Sequence, residues 1–539
     1  MQSAWAVLIA FHPLPEESEG ARHTPLPWIA FVLLALPCLS HSNQRSQRRQ
    51  HRKTQQDFSS LSPGLLLKAT TSLKGCAIHA SPPPTLSARE HCGPRSDWLD
   101  IMDFNSSSPY PEGVISFLDT DLYKLTMQCA VLKYYKDVPV TYAFTNRTPE
   151  KKLSRKAFLW LAEQVRKLGN ISLSAEELQY LKEHCPYLTA DYLEFLSEFR
   201  LRPRDQVVLT FVPIGDDTGA ETDIGDLDIK ISGSWVDTIL YEIPLLALTS
   251  EAYFKFMEPD WTYEGQEEQA YEKGLRLLEA GCIFSEFGTR RRRDYHTQAL
   301  VFRGLTKASK EAEKRGWSGK LSGTSNVHLA MRFNIPPVGT VAHEWFMGTA
   351  AIVGDYRRAT EEALCRWVGC FGEGVLGIAL TDTFGTPEFL KAFAKPIKYL
   401  EGPSPVSARK PSVADSFTSF SAAPGAGSSQ KANKTYAETF TGVRQDSGDP
   451  KNFVKVMRKF YDEQGIHDKK VIVFSDSLNI DRCLEYKEVS EAAGLHPTFG
   501  VGTYLTNDFV STKTGKKSTP LNIVIKISSA DGHPAIKIR

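Results

Sequence analysis

The 539-residue chain lacks three things that would narrow its class at once. Its formal net charge is only +1, from 64 Lys and Arg against 63 Asp and Glu, which excludes a generally basic nucleic-acid binder and an acidic tail protein. Its nine cysteines include no C-x-x-C pair and no regular spacing, and their number is odd. That excludes a disulfide frame and a cysteine zinc site, and it fits reduced thiols in the cytoplasm, with the nucleus as a second compartment. No apolar run is long enough to span a bilayer: residues 28–39 are too few, and Pro37 interrupts them. Residues 35–40 imitate the end of a signal peptide, but no basic region precedes them. The expected partners therefore include neither nucleic acid nor membrane.

What is present divides the chain. Residues 1–112 carry a Ser81-Pro82-Pro83-Pro84-Thr85 stretch, a basic run over 45–53 and little periodicity. They read as disordered, or as an upstream extension of the reading frame with Met102 as the true start. Residues 113–255 mix strand and helix patterns without strict alternation, which predicts an α/β sandwich domain. A helix capped by Asp119 or Thr120 comes first, then strands at 138–145, 207–213 and 227–232. Helical patterns occupy 157–168, 191–199 and 239–256, and Ser174 with Glu177 forms a capping box. A strand at 521–527 completes this domain within 520–539, and residues 534–539 begin a further strand.

From 256 to 519 the grammar changes. Short buried-type strands end in polar turns at 282–290, 319–326, 338–345, 375–383, 440–449, 471–477 and 499–503. Helical patterns follow most of them, as at 388–393, 453–464 and 480–494. Such units in series predict an irregular α/β barrel rather than a flat doubly wound sheet, with a flexible Pro-, Ser- and Gly-rich insertion at 401–434. The fold class is thus α/β: an irregular α/β barrel with an α/β sandwich domain.

In a barrel, strand C-terminal ends converge on one mouth however far apart they lie in sequence. That brings together Arg290, His343, Asp382, Arg444, Asp446, Asp449, Asp476 and the loop Gly500-Val501-Gly502-Thr503. Residues 439–450 admit two readings, a capped βα turn or a wall where Arg444 clamps a phosphate and Asp446 and Asp449 hold ribose hydroxyls or a metal. Gly500, Gly502 and Thr503 suit a phosphate monoester, although a simple turn has the same pattern. Four consecutive arginines, Arg290 to Arg293, usually mean a solvated face. Here they follow a strand and Phe287, so an aromatic plate beside Arg290 suits a flat anionic ring, the later arginines being structural. His343, beside Glu344, is a candidate general base or phosphate-accepting nucleophile. Asp382 and Asp476 are candidate Mg²⁺ ligands, or helix caps.

These pieces together resemble the nicotinate phosphoribosyltransferase family. The match runs in order through Leu118-Asp119-Thr120-Asp121-Leu122-Tyr123-Lys124, Phe287-Gly288-Thr289-Arg290-Arg291 and Gly323-Thr324-Ser325-Asn326. It continues through residues 339–345, 444–450, 474–476, 499–503 and 521–526. The resemblance implies a type II phosphoribosyltransferase that joins nicotinate to 5-phosphoribosyl 1-diphosphate. The products are nicotinate mononucleotide and diphosphate, ATP hydrolysis is coupled, and Mg²⁺ assists. It places Tyr123 and Phe287 about the pyridine ring, Tyr123 often coming from a neighbouring subunit of a homodimer. Arg290 and Thr340 would contact nicotinate or nearby phosphates. His343 matches the histidine that ATP phosphorylates. Arg444, Asp446 and Asp449 would hold the phosphoribosyl group, with Gly500, Gly502 and Thr503 around its 5-phosphate.

The chain departs from the family pattern at its end, where Ala535-Ile536-Lys537-Ile538-Arg539 stands in place of a longer Lys-Leu-Ser-Asp-type segment and helix. A missing active-site loop and an uncovered strand edge are expected there, from a truncated gene model. Two alternatives stay open: a nicotinamide- or quinolinate-using relative, and an inactive binding or scaffold protein.

Overall fold

The computed structural model describes residues 110–399 and 434–538. The extension expected before residue 110 and nearly all of the insertion expected at 401–434 lie outside the described residues. Strands β1 (Pro139–Asn146), β2 (Leu153–Ser154), β3 (Val207–Pro213) and β4 (Ile224–Ser234) come first. They are followed by β5 (Ile283–Glu286), β6 (Lys320–Thr324), β7 (Ile378–Leu380), β8 (Gly442–Gln445), β9 (Val471–Phe474) and β10 (His496–Val501). Strands β11 (Ile523–Ala530) and β12 (His533–Pro534) close the series.

The first four and last two strands form one antiparallel sheet, ordered β12-β11-β1-β4-β2, with β3 also on β4. Its strands alternate as a half-buried sheet requires: Val140 and Tyr142 of β1, and Ile523, Ile525 and Ile527 of β11, face the core. The middle six form a parallel sheet, ordered β6-β5-β10-β9-β8-β7. These strands are short and largely buried, and β7 and β9 are apolar throughout, as a parallel sheet covered on both faces requires.

The cyclic order is that of a barrel with an irregular seam between β6 and β7. The unit expected at 338–345 is not a strand. Pro336 and Pro337 have no N–H to give a ladder, so only single contacts span the seam. Thr324 bridges Pro337, Val338 N donates to Thr324 O at 2.7 Å, and Thr340 Oγ1 donates to Ile378 O at 3.3 Å. His343 then opens the helix His343–Val353.

Two further expectations are corrected. The helix Leu122–Tyr134 has Asp121 at its N-cap with no side-chain cap. Asp119 cannot serve, because its carboxylate takes both terminal nitrogens of Arg292 at 2.7 Å and Asn326 Nδ2 at 2.8 Å. Residues 535–538 do not extend a strand; Ile538 N turns inward to donate to Thr383 O at 3.0 Å. The capping box at Ser174 and Glu177 is present as expected.

Residues 118–124 are locked to the turn after β6. Leu122 N donates to Ser325 O at 2.8 Å, Ser325 Oγ donates to Asp121 at 2.8 Å, and Val327 N donates to Thr120 O at 3.0 Å. This clamp carries Tyr123 to the barrel mouth.

Candidate functional site

His343 is the hub. Its ring sits at the first position of the helix His343–Val353, with Nδ1 2.9 Å from Thr383 Oγ1. Nε2 lies 3.2 Å from Asp446 Oδ2, 3.0 Å from Lys537 Nζ and 3.8 Å from Asp382 Oδ1. Burial holds the imidazole below its ordinary pKa despite the two carboxylates, and the Lys537 charge adds to that, which favours the uncharged ring. A neutral imidazole keeps a lone pair on one nitrogen, as a nucleophile requires.

Arg444, one residue before the end of β8, fixes the far side of this centre. Its Nη2 donates to Asp446 Oδ1 at 2.8 Å, its Nε to Ser475 Oγ at 2.8 Å, and its Nη1 to Val341 O at 3.5 Å. Burial alone would raise the Asp446 carboxyl; Arg444 and His343 reverse this and hold it well below the usual carboxylate range. Asp382, at the end of β7, accepts from Ser447 Oγ and, at 2.8 Å, from Lys537 Nζ. Its Oδ1 is buried and has no hydrogen-bond partner.

A second group surrounds the turn after β5. Phe287 N donates to Val501 O at 2.8 Å, and a Cβ on Gly500 would fall 2.3 Å from the Phe287 ring. Gly500 therefore lies inside β10, buried under an aromatic plate, and its missing side chain serves the ring rather than a phosphate. Gly502 and Thr503 stand at the polar turn beyond β10, where Gly502 precedes the short helix Thr503–Thr506. The Arg290 side chain is 39% exposed, and its Nη1 meets Glu242 Oε1 at 3.5 Å. The Tyr123 hydroxyl donates to the other oxygen of the same Glu242 at 3.5 Å. Tyr123 and Arg290 thus share a carboxylate within one chain. Beneath them Glu286 is buried, accepts from Gln298 Nε2 at 3.0 Å and Thr324 Oγ1 at 2.8 Å, and is pushed up by burial to about 7.

The remaining arginines of the run are structural. Arg291 donates to Ile523 O, Arg292 pairs with Asp119, and Arg293 lies 3.7 Å from the Phe254 ring and 4.3 Å from that of Phe509. Arg292 and Arg293 are each 1% exposed, which removes the basis for a nucleic-acid face at this run.

Not every expected residue joins the hub. Asp449 is exposed and caps the helix Pro450–Glu463 by accepting from Lys451 N at 3.0 Å. Asp476 is exposed and accepts from Ser477 Oγ. Thr340 spends its hydroxyl on the barrel seam. Glu344 turns away from its neighbour His343 and accepts from Lys124, from Tyr142 Oη at 2.6 Å and from Trp235 Nε1 at 2.9 Å. Sequence reasoning missed Lys537, Thr383, Ser475 and Glu242. Thr383 and Ser475 carried a signal, their places in the turns after buried strands.

Among the described residues no group of three His, Cys, Asp or Glu side chains can hold a metal ion. The unpartnered Asp382 Oδ1 suits a Mg²⁺ that arrives with phosphate oxygens, since this ion is held by one or two carboxylates and keeps its other positions for substrate and water. Six cysteines among the described residues are free and buried, and no helix there is long and apolar enough to cross a membrane.

A histidine among carboxylates, an arginine–carboxylate wall and a partly exposed Arg290 following the Phe287 turn mark an α/β-barrel protein whose mouth suits anionic, phosphorylated ligands. Comparisons with known proteins refine this class. The model of the nicotinate phosphoribosyltransferase N-terminal domain matches residues 118–250, and the family model matches 282–400 and 425–539. A Schizosaccharomyces pombe protein named "Probable nicotinate phosphoribosyltransferase" is 45% identical over 427 residues, covering 79% of this chain and 92% of its own. The Saccharomyces cerevisiae nicotinate phosphoribosyltransferase is 42% identical over 433 residues, covering 78% and 90%. The crystal structure of the Vibrio cholerae nicotinate phosphoribosyltransferase aligns with a TM-score of 0.63 at 31% identity, covering 79% of this chain and 89% of that one. The chain belongs to the nicotinate phosphoribosyltransferase family.

Proposed function

We propose that this protein joins nicotinate to 5-phosphoribosyl 1-diphosphate, releasing diphosphate and forming nicotinate mononucleotide, the entry step of NAD synthesis from nicotinate. ATP is hydrolysed to ADP and phosphate through a phosphohistidine on His343. The observation that carries the reading is the placement of His343 itself: an imidazole in the mouth, with Nε2 among Asp446, Asp382 and Lys537.

The pyridine nitrogen is a weak nucleophile, so C1 of the ribose must gain positive character as its bond to diphosphate breaks. The nitrogen lone pair then forms the new bond, and the diphosphate keeps the electrons of the old one. Phe287 and Tyr123 fix the ring, and the exposed Arg290 guanidinium takes its carboxylate. Arg444 and Asp446 face the phosphoribosyl group, with Gly502 and Thr503 toward its 5-phosphate and Asp449 at the rim. Mg²⁺ entering with the phosphates would be held at Asp382, with Asp476 at the rim, and would stabilise the leaving charge. The proposal includes cytoplasmic residence and a homodimer, and it treats 113–255 with 520–539 as one domain and 256–519 as the other.

Labelled nicotinate incubated with the full chain, 5-phosphoribosyl 1-diphosphate, Mg²⁺ and ATP should yield nicotinate mononucleotide. An absence of product would leave a binding or scaffold role. Competition among nicotinate, nicotinamide and quinolinate tests the ring: Arg290 favours the monocarboxylate, and preference for either of the others would move the assignment to that relative.

A further inference from the structure

Two of the free thiols face each other away from the mouth. Cys129 lies on the helix Leu122–Tyr134 and Cys370 on the helix Tyr356–Phe371, and both are buried. Two contacts bracket the pair and hold these helices together. One turn beyond Cys129, Lys133 Nζ donates at 2.8 Å to the carbonyl of Gly369, the residue before Cys370. One turn before Cys370, the Arg366 guanidinium lies 5.3 Å from the Tyr134 ring and 4.9 Å from that of Tyr135. Between these contacts the Cys370 thiol donates to the Cys129 sulfur.

Thr189, the N-cap of the helix Ala190–Glu198, supplies a third side. Its Oγ1 accepts from Tyr192 N at 3.2 Å, so its own proton is free for Cys129 Sγ, 3.8 Å away. Hydrogen bonding from Cys370 holds the Cys129 thiol below its ordinary pKa against the effect of burial, helped by Thr189 and the Lys133 ammonium. The same bond, with burial, pushes the Cys370 thiol up. Burial pushes Cys185 and Cys282 up to about 12 and about 11, and it raises Cys365 and Cys483. Among the cysteines of the described residues, Cys129 alone is set toward the thiolate.

We infer that Cys129 and Cys370 form a reversible oxidation site for hydroperoxides, with Cys129 as the attacking sulfur and Cys370 as its resolving partner. The dithiol is the resting state, both sulfurs being free. Hydrogen peroxide, scarcely larger than water, is the member of that class suited to so enclosed a pair. The Cys129 sulfur attacks one peroxide oxygen; the S–O bond forms, the O–O bond breaks, and the leaving hydroxide takes up the thiol proton as water. The Cys370 sulfur then attacks the Cys129 sulfur, the S–S bond forms, and the S–O bond breaks. Its oxygen leaves with the Cys370 proton as a second water. Two thiols are oxidised to one disulfide, and the peroxide is reduced to two waters. The disulfide fastens the helix that carries Tyr123 in its first turn to the helix that follows His343–Val353.

The test treats the full chain with graded hydrogen peroxide, blocks remaining thiols with N-ethylmaleimide and maps the unreduced peptides by mass. A peptide pair joining Cys129 to Cys370 should be the first oxidation product, and dithiothreitol should reverse it. Loss of the Cys129 thiol should outpace that of Cys185 about 10-fold or more at pH 7. Cys370→Ser should leave Cys129 as a sulfenic acid that dimedone labels, whereas Cys129→Ser should leave Cys370 unlabelled. Melting temperatures check that the variants fold, and the peptide map of the parent chain carries the test if they do not. Equal rates for Cys129 and Cys185, a first disulfide joining other cysteines, or dimedone on Cys370 in the Cys129→Ser chain would overturn the inference. So would a pair that resists peroxide until the chain unfolds.

Discussion

His343 and Glu344 are neighbours in sequence, yet they serve two charged clusters of opposite character. Glu344 enters a sealed group in which Lys124 lies between Glu242 and Glu344, and in which Tyr142 and Trp235 take up the remaining Glu344 capacity. His343 enters the mouth, where Asp382 Oδ1 has no hydrogen-bond partner and Arg290 stands partly in solvent. The first cluster saturates Glu344 and touches the mouth through Glu242, which also meets Arg290 and Tyr123; the second is incomplete. Buried polar groups that saturate one another specify structure, and those that leave donors and acceptors open are prepared for a ligand.

The contrast predicts that the mouth controls rate and the sealed cluster controls stability. The largest effect is expected for Asp446→Asn, which keeps the shape but removes the charge between Arg444 and His343. Steady-state kinetics should show kcat/KM falling by about 100-fold or more, with little change in melting temperature. If Asp446→Asn unfolded the chain and left its folded fraction active, the two clusters would not differ in kind. Next, Lys124→Met strands the two carboxylates it joined and should cost about 3 kcal/mol in denaturant unfolding, a larger loss of stability than Asp446→Asn causes.

A pH test sharpens the same comparison outside the mouth. Glu251 is buried, accepts from Gly113 N at 2.9 Å, and burial, reinforced by the Asp294 charge, pushes its carboxyl up to about 8 from an ordinary 4.5. The folded chain therefore holds a proton that the unfolded chain has released. This stabilisation is complete below about pH 4.5 and is lost as pH rises through about 8. Between pH 5 and pH 8.5 the unfolding free energy should fall by about 4 kcal/mol from this group, and Glu251→Gln should flatten the slope. The smallest effect belongs to Asp449→Ala, which loses a helix cap worth about 1 kcal/mol. A loss of affinity for 5-phosphoribosyl 1-diphosphate beyond that would show Asp449 working as part of the mouth.

Much of this was legible in the sequence, because period-2 alternation and short buried runs are set by burial. β1, β3, β8, β9 and β11 lie where alternation and apolar runs place them. His343, Asp382, Asp446 and Arg444 met because barrel strand ends converge whatever their separation in sequence. The misses have physical causes. Consecutive helical residues point about 100° apart, so Glu344 was never available to orient His343. Pro336 and Pro337 left the 338–345 unit without a ladder, although its apolar pattern reads as a strand. Gly500 looked like a phosphate turn because sequence does not reveal that the Phe287 ring presses on it. Lys537 was invisible because its reach to His343 depends on how the backbone returns from β11, which no local pattern encodes.

The most direct test counts ADP released per nicotinate mononucleotide formed, in the parent chain and in His343→Ala, with and without ATP. The open mouth, with His343 as its phosphate acceptor, predicts coupled ADP release in the parent and none in the variant, whose turnover no longer responds to ATP. Undiminished coupling in His343→Ala would contradict it.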